Sequence, residues 1–150
     1  MRIDKFTIKM QEALQAGQET AADRGHSEIN SAHLLLATLD QPEGIVRPMF
    51  DRIGVPADTV REKVAEWLDR QPKVSGAVTG QPNIGNELAT VLKAAEKEIK
   101  SLKDEYLSVE HFLLGLAKSK SDIRDILSRL GVEHKPVSYT HLTLPTTRLV

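Results

Sequence analysis

The sequence predicts an all-α fold in which two pseudo-symmetric four-helix repeats pack together, and three observations support this prediction. Apolar side chains recur at spacings of three and four along much of the chain, which is the pattern of amphipathic helices. The pattern returns after a shift of 78 residues, so that position 10 corresponds to position 88. A stretch rich in Gly and Pro lies between the two copies, as is typical of a linker.

The first helix of each repeat is predicted from one stripe of apolar and small side chains. In the first copy the stripe consists of Phe6, Met10, Ala13, Leu14, Gly17 and Ala21. After the shift, the last five of these positions fall on Leu88, Val91, Leu92, Ala95 and Ile99. Because apolar or small residues occupy all five, the second copy is predicted to begin with an equivalent helix.

The second helix of each repeat is predicted from the phrases "NSAHLLL" and "SVEHFLL". Asn30 and Ser108 stand directly before the apolar runs, and both are favoured N-cap residues. His33 and His111 occupy equivalent positions in the first turn. Neither has a His, Asp or Glu four residues later, which a metal site on one helix face would require. We therefore expect structural histidines, and a hydrolase that uses His33 or His111 as its base is a remote alternative.

The third helices are predicted from "IVRPMFDRIGV" (45–55) and "IRDILSRLGV" (123–132). Gly54 and Gly131 are suited to left-handed positions after the helix ends. In the first copy a fourth helix follows Pro56, with an apolar stripe of Val60, Val64, Trp67 and Leu68, and Pro72 ends it.

The second repeat is predicted to lack its fourth helix, or to have it replaced. The segment after Gly131 contains Pro136 and Pro145, many threonines and no helical stripe. We expect residues 136–150 to be a non-native or disordered tail, such as a cloning or sequencing junction, with a natural extended tail as the alternative. The predicted boundaries are 1–72 for the first repeat, 73–85 for the linker and 86–135 for a truncated second repeat.

Composition excludes several classes of function. The net charge is −1 and aromatic residues make up 4% of the chain, so neither a basic stripe nor a base-stacking platform for nucleic acid is indicated. The absence of cysteine excludes disulfides and thiolate metal sites. The N-terminus has no signal-peptide pattern and no apolar run approaches membrane-spanning length. We expect a soluble cytoplasmic protein that does not bind a membrane.

The sequence offers no catalytic, cofactor or metal motif. "GQPNIGNE" (80–87) has the glycine spacing of a phosphate-binding loop, but Asn86 and Glu87 stand where Lys and Ser or Thr are needed. Asp104, Glu105 and Glu110 form a local acidic cluster. They are interpreted either as solvated helix ends that compensate the helix dipole or as a polar rim for a bound chain. Acid–base catalysis by a carboxylate pair is a third, remote interpretation.

The stretches "MRIDKFTIKMQEALQAGQETA", "HLLLATLD" and "EYLSVEHFLLGL" together resemble the N-terminal domain of the ClpB protein disaggregases, over roughly residues 1–135. The related domains of ClpC and ClpA are the alternative. The resemblance implies an eight-helix domain tethered to a homohexameric two-ring ATPase, which would use ATP and Mg and cooperate with the DnaK chaperone system. This chain would then be no enzyme itself.

The resemblance also implies a function and a set of site residues. Such a domain would weakly capture unfolded or aggregated polypeptide in a groove and deliver it to the ring. By position, Thr7, Asp104 and Glu110 would be polar groove residues, and Leu92 would belong to the apolar floor. Tyr106 and His111 would border the groove. The alternative function is docking of a folded adaptor, as in a ClpC- or ClpA-type unfoldase.

Overall fold

The computed structural model describes residues 3–73 and 81–143, and these residues form an all-α structure of two repeats. The first repeat contains α1 (Ile8–Asp23), α2 (Ser31–Leu39), α3 (Val46–Arg52) and α4 (Ala57–Asp69). The second contains α5 (Asn86–Leu102), α6 (Val109–Lys118), α7 (Asp122–Arg129) and α8 (His134–Thr143). A short 3-10 helix (Ile3–Lys5) and two short strands, β1 (Glu28–Ile29) and β2 (Asn83–Ile84), complete the described elements. The predicted fold class is confirmed.

Local signals place the helix ends where the sequence predicts them. The Asn30 side chain caps α2 by accepting hydrogen bonds from the backbone of Ala32 at 2.9 Å and of His33 at 3.2 Å. Gly54 and Gly131 follow α3 and α7 with φ of 78° and 97°. Residues with a side chain are disfavoured at such φ values, so the same backbone conformation explains the glycine in both repeats.

The prediction that the second repeat lacks its fourth helix is wrong. α8 spans His134–Thr143 and packs on α6 and α3, with Val137 completely buried. Pro136 is the third residue of α8, and the first backbone bond runs from Val137 N–H to the carbonyl of Glu133 at 3.2 Å. A proline in the first turn removes no intrahelical hydrogen bond, so it does not prevent the helix. Residues 144–150 of the predicted tail lie outside the described residues.

The predicted linker, residues 73–85, ends in regular structure, although 74–80 lie outside the described residues. Its last residues form β2, which pairs in parallel with β1 in the register Glu28 to Asn83 and Ile29 to Ile84. A single bridge of the same kind joins Phe6 to Leu107. These two pairings are equivalent under the 78-residue shift, which carries position 6 to 84 and 29 to 107. Each repeat therefore starts by pairing with the other.

One core runs through both repeats. Most of the apolar stripe residues of α1 and α5, together with the apolar runs of α2 and α6, are buried in one hydrophobic cluster, and Leu14 and Ile99 are partly buried against it. The tightest helix pair is α5 with α6, where a methyl group added at Gly115 would lie 2.6 Å from the carbonyl oxygen of Val91. On the edge of the core, the indole N–H of Trp67 in α4 donates to the carboxylate of Asp122, the first residue of α7, at 3.3 Å.

Candidate functional site

The bridge between Phe6 and Leu107 brings the starts of α1 and α6 side by side, and this region is called the α1/α6 junction. The backbone N–H of Thr7 donates to the carbonyl of Leu107 at 3.0 Å, and the N–H of Leu107 donates to the carbonyl of Lys5 at 2.8 Å. Thr7 and Ser108 are the N-cap residues of the two helices. Because the positive ends of two helix dipoles meet here, the junction favours carbonyl and carboxylate oxygens.

Thr7 uses its side chain to cap α1. Its hydroxyl oxygen accepts from the backbone N–H of Met10 at 3.2 Å, and the residue is buried. A hydroxyl has one donor and two acceptor positions, so capping leaves the O–H available for a second partner. Thr7 thus lies at the junction, as the resemblance implies, in a position that is partly structural.

Asp104 and His111 form one hydrogen-bonded unit behind the junction. The carboxylate of Asp104 lies 2.6 Å from Nε2 of His111, whose ring is completely buried. The other ring nitrogen, Nδ1, accepts from the backbone N–H of Ser108 at 2.9 Å and lies 2.8 Å from the Ser108 hydroxyl oxygen. Nε2 therefore carries the proton and donates to Asp104. The structure gives both residues a capping role at the start of α6.

Glu110 and Tyr106 flank the same helix start. Glu110 lies in the first turn of α6, is 5% exposed, and places an acidic side chain where the helix dipole stabilises it. Tyr106 is half-buried, and the Lys5 ammonium group lies 6.0 Å from the centre of its ring. This distance is at the limit of a cation–π contact. Tyr106 and Lys5 therefore form part of the accessible rim.

Leu92 lies apart from the other predicted residues. It is 1% exposed and belongs to the hydrophobic core. In this conformation a bound chain would contact Leu92 only after the side chains that cover it had moved. The structure thus brings Thr7, Asp104, Tyr106, Glu110 and His111 together, and it places Leu92 beneath the surface.

Ile8 is a candidate that the sequence reasoning missed. It is the first residue of α1, directly after Thr7, and 47% of it is exposed. The signal was present in the sequence, because Ile8 lies off the stripe that begins with Phe6 and Met10 and so cannot face the core with them. An exposed isoleucine beside the polar groups gives the junction an apolar contact point.

The second junction, formed by β1 and β2, joins the starts of α2 and α5 and is called the α2/α5 junction. Glu87 in α5 accepts from the Ser31 backbone N–H at 2.7 Å and from its hydroxyl at 2.5 Å. Glu87 therefore caps α2 from the other repeat. Gly85 takes the place of Thr7 under the repeat shift, and its N–H donates to Ile29 at 3.0 Å.

The α2/α5 junction lacks the features of a phosphate-binding loop. The N–H of Gly85 is already bonded to Ile29, and no Lys follows that could contact a phosphate. Across residues 3–73 and 81–143, no group of three or more His, Asp or Glu side chains is arranged to hold a metal ion. The helices in these ranges also include none that is long and apolar enough to cross a membrane.

The Clp repeat (R) N-terminal domain family matches residues 5–130. The chain belongs to this family. Its relatives include the chaperone protein ClpB of Mycobacterium bovis, which is 40% identical over 131 residues, covering 86% of this chain and 15% of the relative. ClpB of Vibrio cholerae is 35% identical over 138 residues, covering 92% and 16%. The chain is thus an N-terminal domain of the ClpB type and spans about one-sixth of such relatives.

Solved structures agree on the fold. The Hsp104 N-terminal domain of Candida albicans gives a TM-score of 0.80 at 21% identity and covers 96% of this chain and 94% of its own. The N-terminal domain of the chaperone ClpD from Arabidopsis thaliana gives 0.67 at 23% identity, with coverage of 95% and 98%. A ClpV N-domain in complex with a VipB peptide gives 0.71 at 21% identity, with coverage of 91% and 89%. The eight-helix architecture is therefore the architecture of Clp N-domains.

Proposed function

We propose that this Clp N-domain weakly captures unfolded or aggregated polypeptide at the α1/α6 junction and passes it to an ATPase ring in a longer protein. The observation that carries the proposal is the exposed Ile8 beside two helix starts. An apolar contact next to polar groups suits an unfolded chain, which offers both hydrophobic side chains and unpaired backbone groups. The membership of the Clp N-domain family supports the same function.

The polar groups divide into two kinds. Thr7, Tyr106 and Glu110 lie beside the two helix starts and are proposed as the polar side chains nearest a bound chain. Asp104 and His111 instead hold the start of α6 in place through the 2.6 Å contact. Replacing Asp104 would disturb the fold at the junction as well as any contact with a client. The sharpest test of binding therefore avoids Asp104.

Binding is expected to be weak. Few apolar side chains are exposed at the junction, and the floor residue Leu92 is covered. An unfolded client must also lose conformational freedom when it binds, which offsets much of the gain from burial. We expect a Kd of about one micromolar or higher. Such weak binding suits a domain that must release its client to the ATPase ring of the longer protein.

The test compares two exposed isoleucines. Ile8 lies at the α1/α6 junction and Ile84 at the α2/α5 junction, with exposed fractions of 47% and 43%. A fluorescently labelled, permanently unfolded protein is titrated into the chain and into its Ile8→Ser and Ile84→Ser variants, and anisotropy is measured. Losing an apolar contact of about 1 kcal/mol weakens binding roughly fivefold, so Ile8→Ser should raise the Kd about that much.

Ile84→Ser is the matched control, because it removes the same side chain with a similar exposure from the other junction. Its Kd should stay within about twofold of the parent chain, because Ile84 lies at the α2/α5 junction and outside the proposed binding site. Equal effects of the two substitutions, or no binding at several hundred micromolar chain, would contradict the proposal. Capture of one folded partner at a fixed ratio, in place of unfolded chains, would favour adaptor docking of the ClpC or ClpA kind.

The activity and assembly of the longer protein are proposed from the family alone. The longer protein would be a homohexameric ATPase that uses ATP and Mg and works with the DnaK system in the cytoplasm. In this proposal ATP and Mg bind in the ATPase part of the longer protein. Reading the coding frame beyond Val150 tests this part: a phosphate-binding loop with its Lys should follow downstream, and a frame without one would contradict it.

A further inference from the structure

Two hydrogen-bonded pairs that each contain a buried histidine occupy equivalent places in the two repeats, and their surroundings differ at two positions, His26 against Asp104 and Asn30 against Ser108. The 78-residue shift carries His33 to His111 and His26 to Asp104. In the first repeat Nδ1 of His26 lies 2.8 Å from Nε2 of His33. In the second, Asp104 lies 2.6 Å from Nε2 of His111. The equivalent position therefore holds a histidine in the first repeat and a carboxylate in the second.

The hydrogen bonds of the first repeat fix where each proton lies. Nδ1 of His33 accepts from the backbone N–H of Asn30 at 3.0 Å, so a neutral His33 must carry its proton on Nε2. That Nε2–H donates to Nδ1 of His26. His26 must then carry its own proton on Nε2, a buried atom that has no hydrogen-bond partner among the described residues.

A further proton cannot enter this pair without breaking a hydrogen bond. On Nδ1 of His26 it would face the Nε2–H of His33, so that two donors would meet across 2.8 Å. On Nδ1 of His33 it would face the N–H of Asn30 and break the cap of α2. It would also place a positive charge at the start of a helix, where the dipole opposes it.

The second repeat can accept a proton at the equivalent place. A proton on Nδ1 of His111 could be taken by the Ser108 hydroxyl, which lies 2.8 Å away and can rotate to become the acceptor. The charged ring would also remain in contact with the carboxylate of Asp104. Protonation thus replaces one hydrogen bond with another and creates an ion pair.

We propose that the His26–His33 pair makes the first repeat acid-sensitive, so that acidification loosens the contact between α1 and α2 while the second repeat remains closed. This inference is independent of the proposed function, because it concerns the stability of one repeat relative to the other. His33 lies in the first turn of α2, and Ser31 of that turn holds Glu87 of α5. Loosening of α2 would therefore weaken the α2/α5 junction before the α1/α6 junction.

The positively charged side chains around the pair also oppose its protonation. Arg24 at the end of α1 and Lys73 after α4 face it, and Arg24 is paired with Asp69 of α4. Burial, His26 and Arg24 lower the pKa of His33 to about 4. Burial, Arg24 and Lys73 also lower the pKa of His26.

The sign of the pH effect follows from these directions. A histidine whose pKa falls on folding binds its proton more tightly in the opened state, so acid favours opening. The stabilisation is complete above the unfolded pKa of about 6.5 and is lost as the pH falls towards 4. For His33 alone, the equilibrium constant for opening should rise roughly 30-fold between pH 7.5 and pH 5.

Hydrogen exchange measured by mass spectrometry on the full chain tests the proposal. After correction for the intrinsic pH dependence of exchange, the opening constant of α1 and α2 amides should rise about 30-fold at pH 5 relative to pH 7.5. The amides of α5 and α6 should change several-fold less. An equal rise in both repeats, or no change in either, would overturn the proposal.

Two partner exchanges sharpen the test. His26→Asp gives His33 a carboxylate partner, as His111 has, and should reduce the rise in α1 and α2 exchange at pH 5, although Asn30 remains where the second repeat has Ser108. Asp104→His removes the carboxylate that a charged His111 would contact and should make the exchange of α5 and α6 more sensitive to acid. A His26→Asp variant that retains the full acid response would refute the role of the pair.

A measurement on the unaltered chain keeps the proposal testable if either variant fails to fold. Nitrogen-15 NMR of the imidazoles at pH 7.5 should show His26 and His33 both protonated on Nε2. Lowering the pH should leave the His33 ring neutral down to about pH 5, since its pKa is about 4. A His33 proton on Nδ1, or titration of the ring near its ordinary value of 6.5, would contradict the proposed mechanism.

Discussion

The two repeats have the same backbone but different chemistry at equivalent positions. Both begin by pairing with the other repeat, and both place a histidine in the first turn of the second helix. In the first repeat that histidine contacts His26, and in the second it contacts Asp104. The shared part is the backbone hydrogen bond that each ring accepts, from Asn30 or Ser108.

This difference shows what a duplicated fold requires. At the start of the second helix, an imidazole nitrogen accepts a hydrogen bond from the backbone N–H of the N-cap residue. The residue seven positions before that histidine only has to accept a hydrogen bond from the N–H on the other side of the ring. A histidine and a carboxylate both meet that need at neutral pH. The choice between them has little effect on the fold at neutral pH and sets how each repeat responds to acid.

The largest effect is expected where the helices of the second repeat lie closest. A methyl group at Gly115 would lie 2.6 Å from the Val91 carbonyl oxygen and 2.7 Å from the Ala95 nitrogen. Both are backbone atoms that cannot rotate away, so Gly115→Ala must push α5 and α6 apart. We expect a loss of about 3 kcal/mol in the free energy of unfolding, measured by urea denaturation.

The matched change in the first repeat is Gly17→Ala. Its new methyl group would lie 3.4 Å from the Leu34 Cα, which is close to ordinary contact. Alanine favours a helix over glycine by about 1 kcal/mol, so the net change should lie within about 1 kcal/mol of zero. Similar losses for Gly17→Ala and Gly115→Ala would show that the two helix pairs are equally close.

A smaller effect is expected from the buried carboxylate of Glu98, which exists only in the second repeat. Glu98 is 3% exposed and contacts Lys118 at 3.1 Å and His134 at 2.5 Å. Burial opposes its charge, but the hydrogen bonds and charges of Lys118 and His134 outweigh burial and lower its pKa. Glu98→Gln removes the charge that these partners face and should cost about 2 kcal/mol at pH 7.

The pH dependence of that loss identifies its cause. A carboxylate with a lowered pKa stabilises the fold above its ordinary pKa and loses this contribution as the pH falls below it. The difference between the parent chain and Glu98→Gln should therefore shrink in acid. The control is Asp40→Asn, which breaks an exposed pair with Arg61 and should cost less than about 1 kcal/mol. A larger cost for Asp40→Asn than for Glu98→Gln would contradict this account.

Periodicity and local signals are sufficient to predict most of the fold. The stripes of α1 and α5, the N-caps Asn30 and Ser108, and the glycines after α3 and α7 all depend on neighbours in sequence. The wrong prediction at α8 has a local cause as well, which is the interpretation of Pro136 as a helix breaker. Its position in the first turn, where no hydrogen bond is lost, and the burial of Val137 both depend on where the helix starts.

The candidate site was less predictable, since its residues meet through contacts between the repeats. No local pattern indicates that Phe6 pairs with Leu107, or that Glu87 caps α2. Leu92 follows the helical stripe in the same way whether it is a groove floor or a core residue. The pairing of His26 with His33, in contrast, could have been inferred once Asp104 was matched to His26 by the repeat shift.

The smallest expected effect concerns the turn after the first helix of each repeat. Gly25 has φ of 75°, and the equivalent residue of the second repeat, Lys103, has φ of 57°. A residue with a side chain costs about 1 kcal/mol in this left-handed region, whereas glycine adopts it freely. Lys103→Gly should therefore stabilise the chain, by about 0.5 kcal/mol after the greater unfolded-state entropy of glycine is included. Gly25→Ala should destabilise it by about 1 kcal/mol. Urea denaturation of both variants measures whether each substitution raises or lowers the free energy of unfolding. A lower free energy of unfolding in Lys103→Gly would contradict the prediction. It would mean that contacts of the Lys103 side chain stabilise the turn by more than the left-handed backbone costs.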